Sequence, residues 1–221
     1  MARLPRIVLP GIPHHVTQCG NRRQRVFFGD DDFALYLELV GVAAANAGTE
    51  VLAYCLMPNH VHFVVIPHHE DGLRATFGEA HRRYTAHINA RKKWIGHLWQ
   101  GRFASVAMDD AHCWAALRYL AFNPVLAKLA ARPEEWFWSS AKAHVAGVDD
   151  AIAPLGAVVA RTGEFAAFLH GDVDPAATFA AVAKASSTGR PVGSADWMRA
   201  MEDVSGLALM PGKRGPSGRT G

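Results

Sequence analysis

Met57-Pro58-Asn59-His60-Val61-His62-Phe63-Val64-Val65-Ile66 decides how this chain of 221 residues is read. Pro58-Asn59 is turn chemistry, and the β-branched and aromatic run after it predicts a buried strand. Side chains alternate faces along a strand, so His60 and His62 point the same way, about 7 Å apart at Cα, while Val61 and Phe63 face the other side as core. Neutral imidazole is a good ligand for Mn, Zn, Fe or Cu and a poorer one for Mg, so the pair offers a divalent-cation site without fixing the ion. A bare His-x-His also occurs as two histidines side by side on a sheet surface. The rest of the chain has to decide.

Working outward, Glu50 to Met57 is a second strand, joined to His60–Ile66 through the Pro58-Asn59 turn as an antiparallel hairpin. His14 to Cys19 reads as a strand followed by a basic loop, Gly20-Asn21-Arg22-Arg23-Gln24-Arg25. From Phe33 to Ala47 the apolar positions Phe33, Leu37, Val40 and Ala44 recur at helical spacing, with Asp30 to Asp32 as caps and Gly48 as the stop. Leu73 to Lys93 reads as a helix and Phe103 to Met108 as a strand. Asp109 and Asp110 are good N-caps for a helix from about Ala111 to Phe122, expected to end near Asn123 because Pro124 disfavours helical geometry in its predecessor. The order β-α-β-β-α-β-α predicts an α+β fold, with helices laid on an antiparallel sheet.

Composition shifts after Trp136-Phe137-Trp138-Ser139-Ser140. Ala151 to Ala185 is alanine-rich and weakly helical, which places a soft boundary near residue 150 between a domain over 1–150 and a mainly helical C-terminal appendage over 151–210. Residues 211–221 are Gly-, Pro- and Lys/Arg-rich and are expected to be a disordered basic tail.

Half of the residues are hydrophobic, enough for a full core. The net charge of +3 and pI near 8.9 permit a polyanionic partner without demanding one. Cys19, Cys55 and Cys113 lie far apart, which argues against a disulfide framework or a zinc ribbon and for a reducing cytoplasm. Met1 to Gly11 has no long apolar core of a leader, and no later run approaches the roughly 20 apolar residues of a membrane span, so a soluble, cytoplasmic protein is expected.

Tyr119 and Asn123 are four residues apart on a predicted helix and share one of its faces. Phosphodiester cleavage by a tyrosine needs such a phenol, weakly nucleophilic at neutral pH with an ordinary pKa of about 10, in line with an activated phosphate. A divalent cation held by His60, His62 and the Asn123 carbonyl oxygen would polarise that phosphate. Read singly, Tyr119 is an amphipathic aromatic packed with Trp114, Leu117 and Leu120, and Asn123 a helix C-terminal residue. Tyr84 in His81-Arg82-Arg83-Tyr84-Thr85 competes as nucleophile, but its one-turn neighbour is Ile88, which cannot bind a metal.

Four ordered segments resemble the single-tyrosine HUH transposases, specifically the REP-associated tyrosine transposases related to small insertion-sequence elements. They are Gly11-Ile12-Pro13-His14-His15-Val16-Thr17-Gln18, Met57 to His62, Leu98-Trp99-Gln100-Gly101-Arg102-Phe103, and Tyr119-Leu120-Ala121-Phe122-Asn123-Pro124-Val125, and together they span roughly residues 1–145. The resemblance implies a ferredoxin-like antiparallel sheet with packed helices. It assigns His60, His62 and Asn123 as ligands of Mg or Mn and Tyr119 as the nucleophile that forms a 5′-phosphotyrosine with single-stranded DNA. Cys19 departs from the family pattern, where a basic residue often follows Thr-Gln, which puts a DNA contact there in doubt.

Arg22, Arg23 and Arg25 follow the first strand, and Arg82, Arg83, Arg91, Lys92, Lys93 and Arg102 flank the later helix and strand; such clusters contact phosphates and set position more than sequence. Trp94 and Trp99 are candidates for stacking on unpaired bases. Thr188-Gly189-Arg190-Pro191 and Lys213-Arg214-Gly215-Pro216 are weaker basic segments. These features point to a metal-dependent nickase and strand transferase acting on single-stranded or hairpin DNA at structured repeats, as a monomer or homodimer. A histidine-based phosphodiesterase is the second enzymatic reading, but His15-Val16-Thr17 is a single H-x-T and position 64 is valine, which breaks a triple His-x-His-x-His. A domesticated hairpin-binding protein without transposition activity is the third.

Overall fold

The computed structural model describes residues 6–171 and 174–210. Strand β1 (His14–Cys19) leads through a short turn to helix α1 (Asp30–Asn46), then to the hairpin β2 (Thr49–Met57) and β3 (His60–Pro67). Helix α2 (Glu79–Lys92), strand β4 (Ala104–Ala107) and helix α3 (Asp110–Leu126) follow. The sheet runs β2-β3-β1-β4, and every neighbouring pair is antiparallel. This is the ferredoxin-like β-α-β-β-α-β arrangement, with the predicted α+β class and element order.

Several boundaries differ from the sequence reading. The helix expected from Leu73 opens with a π-type turn, Arg74–Gly78, before regular α2 begins. The strand expected over 103–108 pairs only across Ala104–Ala107. Helix α3 runs through Pro124 to Leu126. Proline there forfeits one late-turn hydrogen bond, but Asn123 and Pro124 are both buried, and tertiary packing outweighs the local preference. The acidic run Asp30–Asp32 occupies the first turn of α1 behind Gly29, and Asp32 accepts from the Phe28 N–H and pairs with Arg91.

Two cores lie on opposite faces of the sheet. On one face, α1 and α2 bury Phe33, Tyr36, Val40, Tyr84 and Ile88 against Val61, Phe63 and Val65. On the other, α3 buries Cys113, Ala116, Leu117, Leu120 and Ala121 against Cys55, Val64, Ile66 and Val106. The period-2 alternation of β3 thus holds: Val61, Phe63 and Val65 point to one layer, and the histidines, with Val64 and Ile66, belong to the layer covered by α3.

Residues beyond 150 form helices α5 (Leu155–Thr162), α6 (Phe165–Leu169), α7 (Pro175–Thr188) and α8 (Ala195–Ser205), after a short α4 (Ala141–Val145). Val158, Phe165, Leu169, Phe179 and Val182 join the α3-side core. Each edge of the sheet is met at one point, β2 by an antiparallel bridge from Cys55 to Ser139 and the end of β4 by a parallel bridge from Met108 to Val192. Thr188 ends α7 and Gly189 to Pro191 lead to this bridge, where the Arg190 guanidinium donates to the Leu209 and Met210 carbonyls; residues 211–221, with Lys213 to Pro216, lie outside the described residues. No helix of the described chain is long and apolar enough to cross a membrane, and the three cysteines are free.

Leu120 is 1 % exposed in the α3-side core. Leu120→Ala is expected to lower unfolding free energy by about 2–5 kcal/mol, read from urea denaturation, since α3 cannot close the cavity without moving off the sheet. Stability is also expected to depend on pH through buried histidines away from the α3-side cluster. His14 Nδ1–H donates to the Ile12 carbonyl (2.7 Å) while its Nε2 accepts from the Leu9 N–H (3.2 Å), and His81 Nε2 meets the Tyr36 hydroxyl at 2.8 Å. Burial pushes His14 down to about 4, against a small opposing effect of its Ile12 bond, and His81 down to about 3. The unfolded chain takes up these protons below about 6.5, whereas the folded one refuses them, so stability is complete above that pH and declines as pH falls toward 4 and 3. A urea midpoint unchanged between pH 7.5 and pH 5 would contradict this.

Candidate active site

The α3-side face of the sheet gathers three histidines. In the register, His60 lies opposite Cys19 and His62 opposite Thr17, which puts His15, two residues back along β1, diagonal to His62 on the same face. His15 Nε2 and His62 Nδ1 are 2.9 Å apart, and the two rings are nearly parallel, at 21°. The His60 and His62 rings meet edge to face with centroids 5.0 Å apart. His60 Nδ1 is hydrogen-bonded to the Asn59 side-chain oxygen at 2.7 Å, and the Asn59 amide donates to the Arg23 carbonyl. With both Nδ1 atoms engaged, each ring keeps its Nε2 for another partner.

Helix α3 brings Tyr119 and Asn123 onto this cluster. The Tyr119 ring stands edge-on to His62 at 5.6 Å, and the Asn123 side chain lies near enough to both His60 and the Tyr119 phenol to influence their titration. The N-terminal anchor of the helix is Asp109, whose carboxylate accepts from the His112 N–H and, from the C-terminal region, the Ser194 N–H. The four residues expected from the sequence to share a site are therefore neighbours, on one face.

Burial sets the electrostatics. His60 is held below the ordinary imidazole range by burial and by the nearby Arg23 charge, with Asn123 opposing; His62 is held well below it by burial, then by His15 and His60. Burial alone pushes His15 down to about 3. All three rings are thus neutral at physiological pH, as ligation requires. Half-burial raises the Tyr119 phenol above its usual range, while the nearby Asn123 amide pulls the other way. Among the described residues no three His, Cys, Asp or Glu side chains are placed together to hold a metal. Two imidazoles and an amide oxygen are nevertheless the mixed, sparse donor set that Mn or Mg accepts when water and phosphate oxygens complete the shell.

Two residues of this cluster were not assigned to it from the sequence. Phe179 of α7 stacks flat on Tyr119, with centroids 3.8 Å apart and planes 5° apart, and meets His15 edge-on at 5.1 Å. Nothing local marks it, as it is one aromatic in an alanine-rich helix. His15 has a signal, its alternate position in a strand, but only the register with β3 brings it to His62.

The cations divide between the two faces. Arg22, Arg23 and Arg25 are exposed in the loop beside Asn59 and His60. That loop packs closely on Gly20, where an added Cβ would fall 2.3 Å from the Gln24 carbonyl oxygen. Arg82, Arg83, Arg91, Lys92 and Lys93 are exposed on α2 and its end, on the layer opposite the histidines; Arg82 pairs with Glu79 and Arg91 with Asp32. Arg102 is exposed at the start of β4. Trp99 is a core residue, 6 % exposed among Phe27, Tyr36, His81 and Tyr84, with no face open to a base. Trp94 is half exposed and packs edge-on to Phe28, whose ring carries Lys92 Nζ at 4.4 Å. Tyr84 is fully buried in the α1/α2 core, its hydroxyl donating to the Val26 carbonyl, on the far side of the sheet from His60 and His62.

Residues 10–123, a span that includes all four clustered residues, match the family described as IS200-like transposase. The fold is similar to that of a REP-associated tyrosine transposase solved bound to a REP hairpin, at TM-score 0.57 and 19% identity, over 70% of this chain and 90% of that one. A candidate transposase from Deinococcus radiodurans aligns at TM-score 0.39 and 20% identity, over 58% of this chain and 98% of the other. No curated protein matches the chain.

Proposed function

Because the chain belongs to the family of IS200-like transposases, we propose that it nicks and rejoins single-stranded DNA at structured repeats through a covalent tyrosine intermediate, with Mg or Mn held by His60, His62 and Asn123. The observation that carries this reading is the convergence of Tyr119 and Asn123 from one helix with His60 and His62 from one strand.

In the proposed reaction the Tyr119 oxygen attacks a backbone phosphorus and the bond from phosphorus to the 3′ oxygen breaks. The phenolic proton is lost to solvent, the departing strand end takes up a proton as a free 3′ hydroxyl, and Tyr119 retains the 5′ phosphate. Asn123, one turn along α3, sits beside the phenol, and Phe179 fixes its plane by stacking. Arg22 and Arg23, at the mouth of the site, hold the phosphates on either side. His60, His62 and the Asn123 carbonyl oxygen would hold a divalent cation, which when bound would supply positive charge to the reacting phosphate. Trp94 takes the stacking role toward an unpaired base, and the distant cations of α2 serve a hairpin stem or nonspecific DNA. The REP hairpin bound by the structurally similar transposase motivates a hairpin substrate.

Incubating the protein with labelled single-stranded DNA from the flanks of its own gene, with and without Mn, tests the reading on a denaturing gel. A protein-linked band that requires Mn supports it. Hairpin binding with no covalent band in any divalent metal would instead favour a DNA-binding protein that does not cut.

A further inference from the structure

His14 and His15 are adjacent, equally buried, and bonded in opposite ways. Both ring nitrogens of His14 are satisfied by backbone, which makes it a structural residue closed on itself. His15 spends its only hydrogen bond on His62, and its Nδ1 is buried with no partner among the described residues. Burying an imidazole with one nitrogen unsatisfied works against folding. A feature retained against stability calls for a role in the site.

Tautomer chemistry supplies one. A neutral imidazole has one donor nitrogen and one acceptor, so a hydrogen bond between two neutral rings fixes both tautomers together. If His62 donates from Nδ1, its Nε2 presents a lone pair to the site. If His62 accepts instead, its Nε2 carries the proton and cannot ligate. We infer that His15 is the positioning residue of His62: its Nε2 accepts the His62 Nδ1–H, holds that ring in place, and so directs a lone pair from His62 Nε2 toward the cation. A neutral nitrogen acceptor takes here the part that a carboxylate or backbone carbonyl commonly plays behind a metal-bound histidine. No proton enters or leaves the pair; one tautomeric form of each ring is selected.

The inference rests on the reading that His60 and His62 hold a divalent cation, and the test separates the two. Mn2+ affinity is measured on the full chain without DNA, from the free-Mn2+ electron paramagnetic resonance signal. Wild type, His62→Ala, His15→Phe and His15→Gln are compared. Phenylalanine keeps an aromatic ring against Phe179 but offers no acceptor; glutamine can place its side-chain oxygen where Nε2 stood. The expected result is a dissociation constant about 10–100-fold weaker in His15→Phe, recovered to within a few-fold in His15→Gln. The melting temperature of His15→Phe should move by only a few degrees. That variant removes one unpaired buried nitrogen, on His15, and creates another, on His62, whereas a purely structural His15 would give a large drop in melting temperature with unchanged affinity in the folded protein.

A second readout is independent of folding. With Zn2+ as a diamagnetic probe, long-range 15N–1H correlation spectra should place the His62 proton on Nδ1. Tight Mn2+ binding by wild type and by His15→Phe alike, with loss in His62→Ala, overturns the inference and leaves the metal site standing. A His62 proton on Nε2 in the Zn2+-loaded protein also overturns it. Wild type that binds no Mn2+, or His62→Ala that binds as tightly as wild type, removes the metal site and the inference with it.

Discussion

Tyr119→Phe is expected to eliminate the covalent protein–DNA band while leaving hairpin binding within a few-fold of wild type. The substitution deletes one oxygen, the atom that would form the new bond to phosphorus. It keeps the ring that stacks on Phe179 at 3.8 Å and stands edge-on to His62, so the fold has little reason to change. No buried hydrogen bond of the phenol is lost by the change among the described residues, so the variant should fold as wild type does. Tyr84→Phe is the matched control. It loses one buried hydrogen bond to Val26, a destabilisation of about 1 kcal/mol, on the opposite face of the sheet, and should retain the adduct. A band that persists in Tyr119→Phe and disappears in Tyr84→Phe would reassign the nucleophile and break the link between the histidine cluster and the chemistry.

His62→Ala is expected to reduce strand cleavage in Mn or Mg by about 10³-fold, the scale of a lost metal contribution of several kcal/mol to phosphate charge stabilisation. His60→Ala should behave similarly, and chelator should bring wild type down to the level of either variant. His62 is buried and bonded to His15, so its alanine variant also opens a small cavity; His60, half-buried beside the turn, provides the cleaner comparison. Full activity in chelator would take the cation out of the mechanism and leave the three neutral imidazoles without the role proposed for them.

Much of this architecture is legible in local periodicity. Alternation in His60–Ile66 separates the histidines from Val61 and Phe63, and the structure places those apolar side chains in the α1/α2 core. The spacing of Tyr119 and Asn123 puts them on one face of α3, with Asp109 as the N-cap. Less legible was anything that depends on competition between local preference and packing. Pro124 signals a stop that α3 overrides because Asn123 and Pro124 themselves are buried against the fold. Trp99 sits among cationic residues in the sequence, as a base-stacking residue would, yet it fills the core. Arg82, Arg83 and the Arg91-Lys92-Lys93 run look contiguous with the site along the chain, yet they ride on the helix layer across the sheet from it.

The sequence by itself determined the alternation that pairs His60 with His62, the one-turn spacing of Tyr119 and Asn123, and the α+β order of elements, because each follows from the repeat of a single strand or helix. Only the tertiary structure decided that α3 rather than α2 covers the histidine face, that β1 lies beside β3 in the register joining His15 to His62, and that Phe179 arrives from α7 to stack on the phenol. Those contacts arise from sheet order and from which apolar faces find each other. A period of 2 or 3.6 residues encodes which side chains share a face, and leaves open what that face will meet.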